Sequence, residues 1–196
     1  MTSNVFIEFS CFENIENMDQ IFDEIQYNLN NNLIENLIQN LKIITIELKI
    51  QDNRIKLNEK SDNWIVLSQI LTHICHQIDG QNKCVFNSKI FFELIIELFR
   101  VLRNSLINCI ESKQSILTNG SVFGNSLHVF NHLFEFYKNL GTEDLIPRHR
   151  LIQSIKCCLQ FWANLLSGLS EERQDLTQIR DKIWTSISFD LFRYLL

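Results

Sequence analysis

Turn-forming residues are scarce in this chain. One proline and five glycines are spread over 196 residues. Sheets and loop-rich folds need many more residues that tolerate tight turns, so long helices are favoured. Basic runs are missing as well, and the net charge is −5. Nucleic acid and anionic membrane surfaces are recognised by clustered lysine and arginine, so neither is expected as a partner. No uninterrupted apolar segment approaches the roughly 20 residues that cross a bilayer. The most apolar stretch, Ile90 to Phe99, carries Glu93 and Glu97. The first residues, Met1 to Phe12, lack a basic segment and contain Glu8, unlike a secretory signal. The six cysteines, Cys11, Cys75, Cys84, Cys109, Cys157 and Cys158, show no C-x-x-C spacing. Free thiols in a reducing, cytoplasmic setting are the expectation, without disulfides. Ser/His/Asp elbows, phosphate-binding glycine loops and paired-carboxylate motifs are absent too, so no enzyme and no cofactor is expected. The Glu171-Glu172 pair is read as an acidic helix start after Ser170.

Hydrophobic residues, by contrast, make up 45% of the chain, enough to exclude general disorder. They recur at helical spacing. Met18, Ile21, Phe22, Ile25 and Leu29 mark a first helix that ends at Asn30-Asn31-Asn32. Ile34, Leu37, Ile38, Leu41, Ile44 and Leu48 mark a second. Residues 51 to 62 are polar and read as a loop. Asp62 is a candidate cap for a third helix, carrying Trp64, Leu67, Leu71, Ile74 and Ile78 and stopped by Asp79-Gly80. A fourth helix, about 88 to 110, is apolar except for one stripe of Glu93, Glu97, Arg100 and Asn104, which predicts a central position. A connection through Asn119-Gly120 leads to a fifth, with Phe123, Leu127, Phe130, Phe134 and Tyr137, stopped at Gly141. A sixth, about 148 to 167, follows Pro147, and a last segment carries Ile183, Trp184, Ile187 and Leu191.

The fourth and sixth helices match at a shift of 60. Leu98, Leu102 and Leu106 answer to Cys158, Trp162 and Leu166, and Asn104 answers to Asn164. Gln114 and Gln174 each follow their asparagine by ten positions. Repeated helices of this kind mark a stacked α-solenoid, in which each unit buries its apolar face on the next. The fold class expected is all-α, an armadillo- or HEAT-like right-handed α-solenoid of about six to eight helices, in one domain over residues 1 to 196.

The polar stripes of the two matched helices supply the candidate protein-binding residues: Glu93, Arg100 and Asn104, then Gln153, Gln160 and Asn164. An asparagine amide both donates and accepts, which suits an extended peptide backbone in a groove. Alternatively, the two asparagines satisfy nearby carbonyls and hold the junction between units. Exposure of the stripe favours a binding surface, and its burial favours a purely structural cap.

His128, His132 and Glu135 lie on one side of the fifth helix and are candidate metal ligands. Val129 stands where a zinc-protease helix has glutamate, so a solvated face is the competing reading. His73, Cys75, His76 and Cys84 match no familiar zinc spacing, and adjacent Cys157 and Cys158 point apart; packing accounts for these cysteines.

The segment Glu97-Leu98-Phe99-Arg100-Val101-Leu102-Arg103-Asn104, followed by Asn108-Cys109, resembles the leucine-arginine-asparagine helix of the ataxin-10 family. Cys158-Leu159-Gln160-Phe161-Trp162-Ala163-Asn164-Leu165 resembles that family's second signature. The resemblance covers about residues 90 to 195. It implies an armadillo-like, cytoplasmic, non-catalytic protein that binds protein partners, in a family associated with neurite growth and cell division. Family members are longer, which implies the N-terminal part of a longer protein here. The apolar stretch from Ser188 to Leu196 either folds back on the sixth helix or, in agreement with that expectation, awaits a further unit and gives the isolated chain a weak self-association.

Overall fold

A computed structural model describes residues 18–80, 88–118, 120–139 and 145–167. Eight helices and no strand occur among them. They are α1 (Met18–Asn30), α2 (Ile34–Glu47), α3 (Gln51–Glu59), α4 (Ser61–Gly80), α5 (Lys89–Ser105), α6 (Ile110–Thr118), α7 (Gly120–Lys138) and α8 (Leu145–Leu166). The stop at Gly141, Gln174, the segment around Trp184 and the apolar C-terminal end lie outside the described residues.

The apolar spacing of each long helix becomes its buried face. Ile21, Phe22 and Ile25 are buried on α1, and Leu37, Ile38, Leu41 and Ile44 on α2. Asn32 ends α1 in the left-handed region, at φ 55°. Leu33 N–H donates to the Asn28 carbonyl at 2.8 Å and Asn32 N–H to that of Leu29 at 3.1 Å, a Schellman closure with asparagine at the left-handed position. Asn108, at φ 51°, separates α5 from α6. The fourth helix therefore stops at Ser105, short of the expected 110. At its start, the Ser88 hydroxyl accepts from Phe91 N–H, a side-chain cap.

Two stretches expected to be loops are short helices. Residues 51–59 form α3, on which only Arg54 and Leu57 are buried, too few apolar positions to mark a helix by periodicity. Residues 110–118 form α6, with Ser112, Lys113 and Ile116 buried. The start of α4 at Ser61 puts Asp62 inside the first turn, where its charge faces the positive helix end, instead of at the cap.

Packing repeats every three helices. α1 packs on α4, α2 on α5, α3 on α6, α4 on α7 and α5 on α8. A row of α2, α5 and α8 thus lies against a row of α1, α4 and α7, with short α3 and α6 completing the second and third sets. The α5–α8 contact is the most extensive and follows from the matched sequences. Leu98, Leu102, Cys158 and Trp162 are all buried. Phe99 meets Phe161 edge-on, with centroids 5.6 Å apart, and Trp162 meets Phe123 of α7 at 5.2 Å.

Polar groups join the short helices to the rest. Asn58 of α3 donates to the Arg54 carbonyl and to Ser112 Oγ, both at 2.8 Å. Its own carbonyl accepts from Trp64 Nε1 at 3.0 Å and from Ser115 Oγ at 3.2 Å, so one amide links α3, α4 and α6. Arg54 and Lys113, at matching places on α3 and α6, are both buried cations set against helix C-termini. Arg54 Nη1 donates to the carbonyls of Leu48 and Lys49, and Lys113 Nζ to the carbonyl of Ser167.

Candidate functional site

The row α2–α5–α8 carries all six candidate binding residues, and the two asparagines occupy equivalent places in it. Asn104 Nδ2 donates to the Thr45 carbonyl of α2 at 2.9 Å, and Asn164 Nδ2 donates to the Arg103 carbonyl of α5 at 3.3 Å. The C-caps Leu48 and Leu106 have the same right-handed backbone, so Thr45 and Arg103 are both the third residue before a C-cap. Each asparagine therefore ties its helix to the same carbonyl of the preceding helix in the row. Asn104 is 4% exposed, and its Oδ1 accepts from Arg103 Nε and Nη2 at 3.1 and 3.0 Å. Expected on an open surface, Asn104 instead lies within the helix contact, because its amide and the α2 carbonyl satisfy one another. Asn164 is half-buried.

The remaining candidate binding residues do reach solvent. Glu93, Arg100 and Gln153 are half-buried and Gln160 is exposed. Lys42 of α2 bonds Glu93 at 2.7 Å, and this hydrogen bond holds the Glu93 carboxyl below its usual range. Glu97, buried at 4% exposure, pairs with Arg100 at 2.6 Å. Burial nevertheless outweighs that partner and raises the Glu97 carboxyl. Arg103 Nη1 reaches across to Gln160 Oε1 at 2.6 Å. Burial also raises the thiol of Cys157, against the opposing pull of Arg100 and Arg103. The row thus presents a mixed polar surface on which Lys42, Arg100 and Arg103 are each engaged by a neighbouring side chain.

Arg103 was not legible as a member of this face. The shift of 60 pairs it with Ala163, so the repeat itself hides it. Its signal was local, a long cation beside an asparagine near a helix end. Lys42 lay outside the matched pair altogether.

The histidine candidates lie on the other row. His128 Nε2 is 3.0 Å and His132 Nε2 is 3.9 Å from Asp79 Oδ1 at the end of α4. Glu135, the third expected ligand, is exposed and bonds Lys138 at 2.8 Å instead. Asp79, from α4, is the carboxylate that stands near both imidazoles. Cys75 is buried, His76 exposed and His73 half-buried, so α4 does not converge them; Cys84 lies outside the described residues. Burial pushes the Cys75 thiol up to about 11 and the fully buried Cys158 thiol well above the usual range. Cys75, Cys109, Cys157 and Cys158 are free thiols.

Two concavities accompany these groups. One, of about 540 Å³, lies at the α5–α6 turn between Leu106, Cys109, Lys113, Asn164 and Ser167. A second, of about 580 Å³, is a polar groove between α1 and α2, beside Glu24, Tyr27, Asn28 and Asn40. There the Asn40 amide donates to Glu24 at 2.8 Å and the Asn28 amide to Asn40 at 3.3 Å. Among the described residues, no helix is long and apolar enough to cross a membrane.

Compared with protein-family models, with curated proteins and with solved structures, the chain finds no match in any of the three.

Proposed function

We propose that the chain is an armadillo-like interaction module of the ataxin-10 type, non-catalytic and cytoplasmic, whose α2–α5–α8 row receives a protein partner. The observation that carries this reading is the three-helix recurrence of packing, with the same asparagine-to-carbonyl bond at successive steps of one row. Stacked units of that kind form a continuous face with no enclosed site, and such faces are the usual binding surfaces of α-solenoids. The accessible members of the face are Glu93, Arg100, Gln153, Lys156 and Gln160, with exposed Ile46 of α2 as an apolar contact beside Lys42. Cell division is the process that the resemblance suggests.

The geometry of the asparagines also favours the second reading, a structural cap without its own partner. Asn104 is buried and bonded through both amide atoms, so it holds the row together and is not offered to a peptide. The two readings separate experimentally. A chain carrying Lys156→Glu and Gln160→Glu, and a control carrying Asn131→Glu at one exposed α7 position, are used to capture partners from native extract. The module reading predicts a partner retained by wild type and control and lost from the α8 variant. Equal retention by all three, or none by any, favours the cap.

A further inference from the structure

We propose that Asp79, His128 and His132 form a binding site for a divalent transition-metal cation, Zn²⁺ foremost, which clasps α4 to α7. The ligand atoms of these three residues all lie within 4.8 Å of one another. Donors of a tetrahedral zinc ion with bonds of about 2.1 Å stand roughly 3.4 Å apart. Asp79 Oδ1 sits at 3.0 Å from one imidazole nitrogen and 3.9 Å from the other, on either side of that value. The side chains are 38% to 55% exposed, so small torsional changes close the set without moving the helices.

The helices themselves impose the arrangement. His128 and His132 are one turn apart on α7, and their rings lie 4.5 Å apart. Further back on the same contact, Asn125 Nδ2 donates to Thr72 Oγ1 at 2.9 Å, and Cys75 Sγ approaches the Asn125 carbonyl at 3.7 Å. Thr72, Cys75 and Asp79 thus follow one face of α4, in register with Asn125, His128 and His132 on α7. Asp79 is the penultimate residue of α4, where the negative helix end adds to the attraction for a cation. Two neutral imidazoles and one carboxylate are a donor set suited to zinc, and they leave room for water or a further ligand. The site lies on the α4–α7 row, away from the proposed docking row, and stands or falls without it.

Titration of the reduced chain with Zn²⁺ by calorimetry, and with Co²⁺ by absorption, tests the site. The expected result is one saturable ion per chain, a rise in melting temperature with Zn²⁺, and Co²⁺ bands without thiolate charge transfer. Asp79→Asn, His128→Ala and His132→Ala should each weaken binding by about tenfold or more, since even outer-sphere losses cost about 10- to 100-fold. Glu135→Ala should bind as wild type. Each of these positions is at least partly exposed, and circular dichroism verifies the fold of every variant. Absence of saturable binding, undiminished affinity in any of the three ligand variants, or a thiolate band overturns the proposal.

Discussion

Phe99→Ala is expected to destabilise the chain by about 3–5 kcal/mol in urea-induced unfolding, the usual cost of emptying a phenylalanine site in a closed core. Phe99 is completely buried and stands edge-on to Phe161, itself completely buried. The loss includes about 0.5–1.5 kcal/mol for the ring pair beyond the buried area. Because whole domains are stable by about 5–15 kcal/mol, this one substitution removes a large share. Phe161→Ala and the double variant complete a cycle. If α5 and α8 pack as described, the double variant loses less than the sum of the single losses. Additive losses would mean that the two rings do not meet.

Asn58→Ala should cost about 2–3 kcal/mol, although Asn58 is only half-buried, because a buried group left without its partner costs about 1–3 kcal/mol. Trp64 and Ser112, both buried, lose a hydrogen-bond partner together, and so do the Arg54 carbonyl and Ser115. Asn131→Ala, exposed on α7, should stay within about 0.5 kcal/mol of wild type. Tryptophan fluorescence during denaturation reads both. Equal stability of the two variants would remove Asn58 as the joint between α3, α4 and α6.

The long helices were legible in the sequence because each buries an apolar face at a spacing of three and four. The 60-residue match of Leu98 with Cys158 and of Leu102 with Trp162 returns as burial at all four positions, on two helices that do pack on one another. α3 and α6 were not legible. They are held by polar groups such as Asn58, Arg54 and Lys113, and a hydrogen-bond network leaves no hydrophobic period. The candidate polar face was legible in part. Gln153, Gln160, Arg100 and Glu93 share the expected row and reach solvent. Asn104 looked the same on paper, yet one step of rotation on the helix turns it into the contact with Thr45. Pairings between helices, such as Asp79 with His128 and Lys42 with Glu93, depend on which helices stack, and helical periodicity says nothing of that.

The recurrent asparagines join successive helices of one row, and the proposed partner surface lies on the other stripe residues. The double variant Asn104→Ala/Asn164→Ala, measured by equilibrium denaturation, tests this division most directly. The expected loss is about 1–3 kcal/mol, chiefly from Asn104, whose removal orphans the Thr45 carbonyl inside the α2–α5 contact. Unchanged stability, together with a lost partner, would contradict it and return both asparagines to the binding surface.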